Sequence, residues 1–227
     1  ASGRKDYTMT TESILTRVND ILRMEGAASR DAALRVLSDD LAAQLRREIA
    51  AENKQGSALK VITGLLRTVR KTNARTTLHY AWKDEKGRQC VCDGYRAYRL
   101  TEPLPLEARP ADAGEPINLS AIVPDVTKGG YRAVPLPAAR DVRALIALER
   151  ATKGRKAAPL WEFGPGLPTV NAAYLLELMT VLPDAATIYC GTALAPLYAS
   201  DSHGDALLMP VKPAANAALA ILSPGQP

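Results

Sequence analysis

Apolar residues recur at helical spacing through the first third of the chain. From about Thr11 to Met24, the residues Ile14, Leu15, Val18, Ile21 and Leu22 fall three or four apart, which predicts a helix that Glu25-Gly26 ends. Ser29 is a good N-cap for a second, longer helix. Its Leu34, Leu37, Leu41, Leu45 and Ile49 form one apolar stripe. The two helices are expected to make a hairpin, either a plain structural segment or a docking arm. Gln55-Gly56-Ser57 punctuates the chain, and a third helix is expected over about 58–72. There Ile62, Leu65, Leu66 and Val69 share one side, while Lys60, Gly64, Arg67 and Lys71 centre on the opposite side, with Arg70 at its edge.

Beyond the third helix the period changes. Two strand-like runs, Thr76–Trp82 and Gln89–Arg99, are joined by the turn formers at 83–87. Residues 101–116 are rich in proline and glycine and read as a linker or an irregular edge. A short apolar run spans 117–123. A strand is expected over 131–136, a helix over 138–151 and a strand over 160–163. A short helix over 171–182 and three further strands complete the pattern. Helix 58–72 with its strands resembles helix 171–182 with its strands, a weak internal symmetry. Residues 1–9 read as a frayed leader, and 214–227 as a tail that adds little to the core. The expected organisation is therefore a helical segment 1–55, two halves 56–130 and 131–213, and the tail.

Composition narrows the class. The 227 residues are 47% apolar, so the chain is globular and its core must come from Leu, Ala, Val and Ile. No run reaches the roughly 18 apolar residues of a membrane span, and there is no apolar signal-peptide core. No membrane partner is expected. Three cysteines do not make a disulfide framework, which favours a cytoplasmic setting. The charge is uneven: residues 1–75 hold 14 Lys and Arg against 9 Asp and Glu. Between Glu52 and Asp84 there is no acid, but seven bases. A polyanionic partner fits that stretch, and so does a plain solvated face.

Catalytic signals are missing. The chain has two histidines and no G-x-S-x-G, H-E-x-x-H or G-x-x-x-x-G-K-[ST] pattern, so an enzyme is not expected, nor any cofactor. Cys90 and Cys92 alternate on one strand, and Cys190, His79 and His203 stand at arbitrary spacing. Buried strand thiols fit better than a metal site.

Two short motifs remain. The first is the order Asn171, Tyr174, Leu175 and Leu176, then three strands, then Met209-Pro210-Val211-Lys212. The second is Asp93-Gly94-Tyr95-Arg96-Ala97 inside a strand–turn–strand, where Asp-Gly favours a tight hairpin. Together they resemble the bacterial DNA sliding clamp, the beta subunit of DNA polymerase III, in truncated and divergent form. That family carries N-x-x-Y-[LV]-L, a closing M-P-[MV]-[RK] and a T-D-G-H-R-L turn. Val123-Pro124-Asp125 is similar to its F-P-[DE] segment. The resemblance covers about residues 58–100, 117–125 and 158–212, and leaves 1–55 unmatched.

The resemblance implies an α+β fold, a DNA-clamp-like module of antiparallel sheets backed by helices, with an N-terminal helical segment. It implies one complete module with insertions, or two trimmed ones, and a homo-oligomer if a ring is to close. It also implies a pocket for clamp-binding peptides of polymerase or repair proteins. Gly94, Tyr95, Arg96 and Ala97 would form one wall and Met209, Pro210, Val211 and Lys212 the other, with Pro124 nearby. Tyr95 replaces the family's His and Lys212 its Arg, which loses bidentate geometry. Lys60, Arg67, Arg70 and Lys71 would face the phosphate backbone of double-stranded DNA without reading its sequence. The implied function is a non-catalytic, DNA-associated clamp-like factor that tethers polymerase or repair partners. The alternative is a clamp-derived interaction module that binds no DNA.

Overall fold

The computed structural model describes residues 9–52, 54–107 and 109–211. The leader short of Met9, Lys212 and the tail at 214–227 lie outside the described residues. The chain divides into two units, one of residues up to Lys60 with Leu104–Leu106, the other of Val61–Pro103 and the residues from Glu107 on.

In the first unit, Thr10 caps helix α1 (Thr11–Arg23), its hydroxyl accepting from the Ser13 N–H. Helix α2 spans Ala27–Glu52. It starts earlier than expected, so Ser29 lies in its first turn and is not the cap. Gly26, at φ +89°, turns the chain at once, and its carbonyl already accepts from the Arg30 N–H. The two helices are antiparallel neighbours. Arg17 pairs with Asp40 at 2.9 Å, and the Gln44 amide exchanges two hydrogen bonds with the Met9 backbone. Ile21, Leu37 and Ala50 are buried.

Helix α3 (Gly56–Thr72) begins in the first unit and ends in the second. Ile62, Leu65, Leu66 and Val69 are all buried, as the stripe predicts. The strand expected over Thr76–Trp82 is replaced by a 3-10 turn at Thr76–Leu78, and strand β1 keeps only Trp82–Lys83. Local polar groups compete for the backbone there. The Asn73 side chain accepts from the Arg75 N–H, and the His79 ring contacts the Asn73 carbonyl at 2.8 Å.

The second unit continues with β2 (Gln89–Cys92), β3 (Arg96–Leu100), β4 (Arg132–Pro135), helix α4 (Ala139–Lys153), β5 (Leu160–Glu162) and β6 (Thr169–Asn171). Helix α5 (Ala172–Val181) and strands β7 (Thr187–Cys190), β8 (Leu197–Asp201) and β9 (Gly204–Leu208) follow. Seven strands form one antiparallel sheet in the order β1-β2-β3-β9-β8-β7-β4. Strands β5 and β6 pair separately. The architecture is mixed α and β, and one sheet takes strands from both sides of residue 130.

Chain order makes the internal symmetry visible. A helix followed by a three-stranded meander occurs twice, as α3 with β1–β3 and as α5 with β7–β9. The two meanders meet at β3 and β9, where Arg96 stands opposite Leu208 and Leu100 opposite Gly204. These central strands are buried on both faces, so neither shows apolar–polar alternation. The charges they carry are paired. Arg99 forks onto Asp205 with two bonds of 2.7 Å, and Arg88 bridges Asp205 at 3.1 Å and Asp84 at 2.7 Å. Gly204 cannot be exchanged for another residue without movement, because a Cβ there would sit 2.1 Å from the Arg99 carbonyl oxygen.

Candidate functional site

The second hairpin supplies the centre of the site. Asp93 Oδ1 accepts from the N–H groups of Tyr95 and Arg96, both at 2.8 Å, and the Asp93 N–H donates to the Arg96 carbonyl. Gly94 sits at φ +92°, a conformation that costs glycine nothing. The side chain of Asp93 thus holds the turn that places Tyr95 in solvent.

One step beyond the Arg96–Leu208 pair, the Met209 N–H donates to the Tyr95 carbonyl oxygen at 2.8 Å. The turn and the tail, 114 positions apart in the chain, are therefore neighbours. Tyr95 is 64% exposed and Met209 39%, so a flat amphipathic ring and an adaptable thioether stand in water at one end of the sheet. Pro210 and Val211 are half-buried. The Val211 N–H donates to the Thr169 carbonyl at 2.7 Å, which ties the tail to β6.

The remaining residues expected in this pocket are placed differently. Ala97 is buried in β3, opposite Leu207. Arg96 is only 7% exposed. Its guanidinium pairs with Asp93 at 3.0 Å, pairs with Glu177, and lies 4.1 Å over the Tyr174 ring. It fastens the turn to α5. Asp93, Tyr174 and Glu177 are the partners that sequence reasoning missed. The Asp93–Arg96 spacing was a local signal, whereas the bond to Glu177 joins positions 81 apart and has none. Helix α5 itself starts as its motif suggests: the Asn171 side chain accepts from the N–H groups of Ala173 and Tyr174. Pro124 is half-buried, and among the described residues no hydrogen bond joins 122–125 to the turn or the tail.

The basic residues also divide. Lys60, Arg67 and Lys71 are exposed on α3, and no ion pair engages them among the described residues. Arg70 is partly exposed but engaged by its neighbours. It pairs with Glu107 at 2.6 Å, donates to the His79 carbonyl and lies 5.0 Å over the Tyr80 ring.

Cys90, Cys92 and Cys190 are free and buried. Burial pushes the thiols of Cys90 and Cys190 up to about 11. No cluster of three metal-ligating side chains occurs among the described residues, and no helix there is long and apolar enough to cross a membrane. A hollow of about 290 Å³ lies elsewhere in the second unit, between β4 and the β5–β6 turn, where Val134, Phe163 and Leu167 line it. No protein family, curated protein or solved structure matches this chain.

Proposed function

We propose that this protein is a non-catalytic clamp-like factor that associates with DNA and captures short peptides of polymerase or repair proteins. One observation carries the reading: Tyr95 and Met209 are exposed side by side, joined through the backbone, at the meeting point of two motifs that resemble the sliding clamp's peptide-binding walls. A flat amphipathic ring beside a flexible thioether suits an apolar peptide side chain. Pro210 adds little conformational entropy to lose on binding. Lys60, Arg67 and Lys71 supply cations for phosphates, with no acid beside them on their helix face.

A second reading is a clamp-derived interaction module that holds a protein partner and no DNA. The pairing of Arg70 with Glu107 favours it, because that places an acid beside one of the four cations expected to face phosphates.

The peptide site is tested by fluorescence anisotropy with a labelled clamp-binding peptide from a bacterial polymerase. Saturable binding is expected, at least about tenfold weaker in Tyr95→Ser and in Met209→Ser, as for buried anchors at an interface. No binding by the intact protein, or equal binding by both variants, would remove the pocket from the proposal.

A further inference from the structure

The helical hairpin of the first unit leaves a broad apolar surface in water. Leu15 and Leu22 on α1, and Leu34 and Leu45 on α2, are each 46 to 65% exposed. At about 100° per residue, Leu15 and Leu22 lie about 20° apart around α1, and Leu34, Leu41 and Leu45 fall within about 40° around α2. The Arg17–Asp40 and Met9–Gln44 contacts fix which sides of the two helices face each other. Starting from those sides, both leucine stripes turn toward the same flank of the hairpin. They form one continuous face, with Leu22 beside Leu34 and Leu15 beside Leu41. Exposed patches of this kind mark interaction surfaces.

We propose that this face docks onto the same face of a second copy of the chain, giving an antiparallel four-helix arrangement. Its own pattern argues for that occupant. In a two-fold contact centred between Asp39 and Asp40, Leu34 of one copy meets Leu45 of the other, and Leu15 lies one helical turn from Leu22. The same register brings Arg30 of one copy within one residue of Glu48 of the other. Arg30 and Glu48 lie on the same side of the α2 stripe, about 40° from Leu34, so both complementary pairs form at once. Both side chains are exposed, and Arg30 has no ion-pair partner among the described residues. The overlap of the helices, about 20 Å long and two helices wide, with the rest of α2 beyond it, offers about 600 Å² per copy. About 1,200 Å² in all lies at the lower edge of stable interfaces, so the dimer is expected to be concentration-dependent.

Sedimentation equilibrium of the full chain over a wide concentration range tests this contact, with circular dichroism to check that each variant stays helical. A monomer–dimer equilibrium is expected. Leu34→Gln with Leu45→Gln should weaken it about a hundredfold. Arg30→Glu alone, or Glu48→Arg alone, should weaken it about tenfold, and the double variant should return it to the starting value. A monomer at every concentration would overturn the proposal. So would a dimer indifferent to the leucine changes, or single charge reversals that the double variant does not repair.

Discussion

Arg96 and Tyr95 are adjacent, yet their substitution should have opposite consequences. Arg96 is buried, with Asp93, Glu177 and the Tyr174 ring around its guanidinium. Arg96→Met keeps the unbranched apolar stem of the side chain and removes the charge. Two carboxylates then lose their cation. The Asp93 side chain is 10% exposed and would keep its charge with only the two backbone N–H bonds of the turn, while Glu177 at 36% can turn to water. Breaking a buried pair costs about 3–5 kcal/mol, and the partial solvation of Glu177 argues for the lower end. The lost contact with Tyr174 adds about 1 kcal/mol. We expect a net loss of about 4 kcal/mol in the unfolding free energy from urea titration, with an unchanged slope. Tyr95→Ser should stay within about 0.5 kcal/mol of the parent, because that side chain is mostly in water. A loss below about 1 kcal/mol in Arg96→Met would refute the view that Arg96 fastens the turn to α5.

Three further outcomes follow from the second unit. Gly204→Ala should cost at least about 2 kcal/mol in a urea titration, since its Cβ meets the Arg99 carbonyl; a neutral substitution would mean that β3 and β9 yield easily. Cys90 and Cys190, with thiols raised to about 11 by burial, should react with a thiol reagent at pH 8 only after unfolding. Rapid reaction of all three thiols in the native protein would contradict that burial. For Asp84, burial alone would raise the carboxyl, but its bonds to Arg88 outweigh burial and lower it. A lowered native value stabilises the fold above the ordinary Asp pKa of about 4, and that stability is lost as the pH falls through the native value. Thermal unfolding of the parent and of Asp84→Asn should therefore differ at pH 6 and converge as the pH falls below the ordinary Asp range.

Much of this architecture is legible in the sequence because it depends on local pattern. The stripe Ile62, Leu65, Leu66 and Val69 predicts both a helix and its buried side, and Asp93-Gly94 predicts a hairpin by turn chemistry alone. The Thr76–Trp82 strand failed because Asn73 and His79 capture the backbone with polar contacts that no apolar pattern reveals. The start of α2 was missed because Gly26 turns the chain without needing a side-chain cap. At the site, the adjacency of Tyr95 and Met209 came only from resemblance, since β3 and β9 are far apart in the chain. The fates of Arg70 and Arg96 were invisible for the same reason. A basic residue reads as an exposed cation until the carboxylate that captures it, Glu107 or Glu177, is located in space.

Association with DNA is the claim that separates the two functional readings, and a salt titration tests it most directly. The affinity for a labelled duplex should be measured by anisotropy across a range of salt concentrations, for the parent and for Lys60→Glu with Arg67→Glu and Lys71→Glu. Three phosphate contacts predict a log–log slope of about −2.7 for the parent, and the triple variant should lose measurable binding. Binding that persists unchanged in the triple variant, or no binding by the parent even at low salt, would contradict a DNA-associated role for this helix.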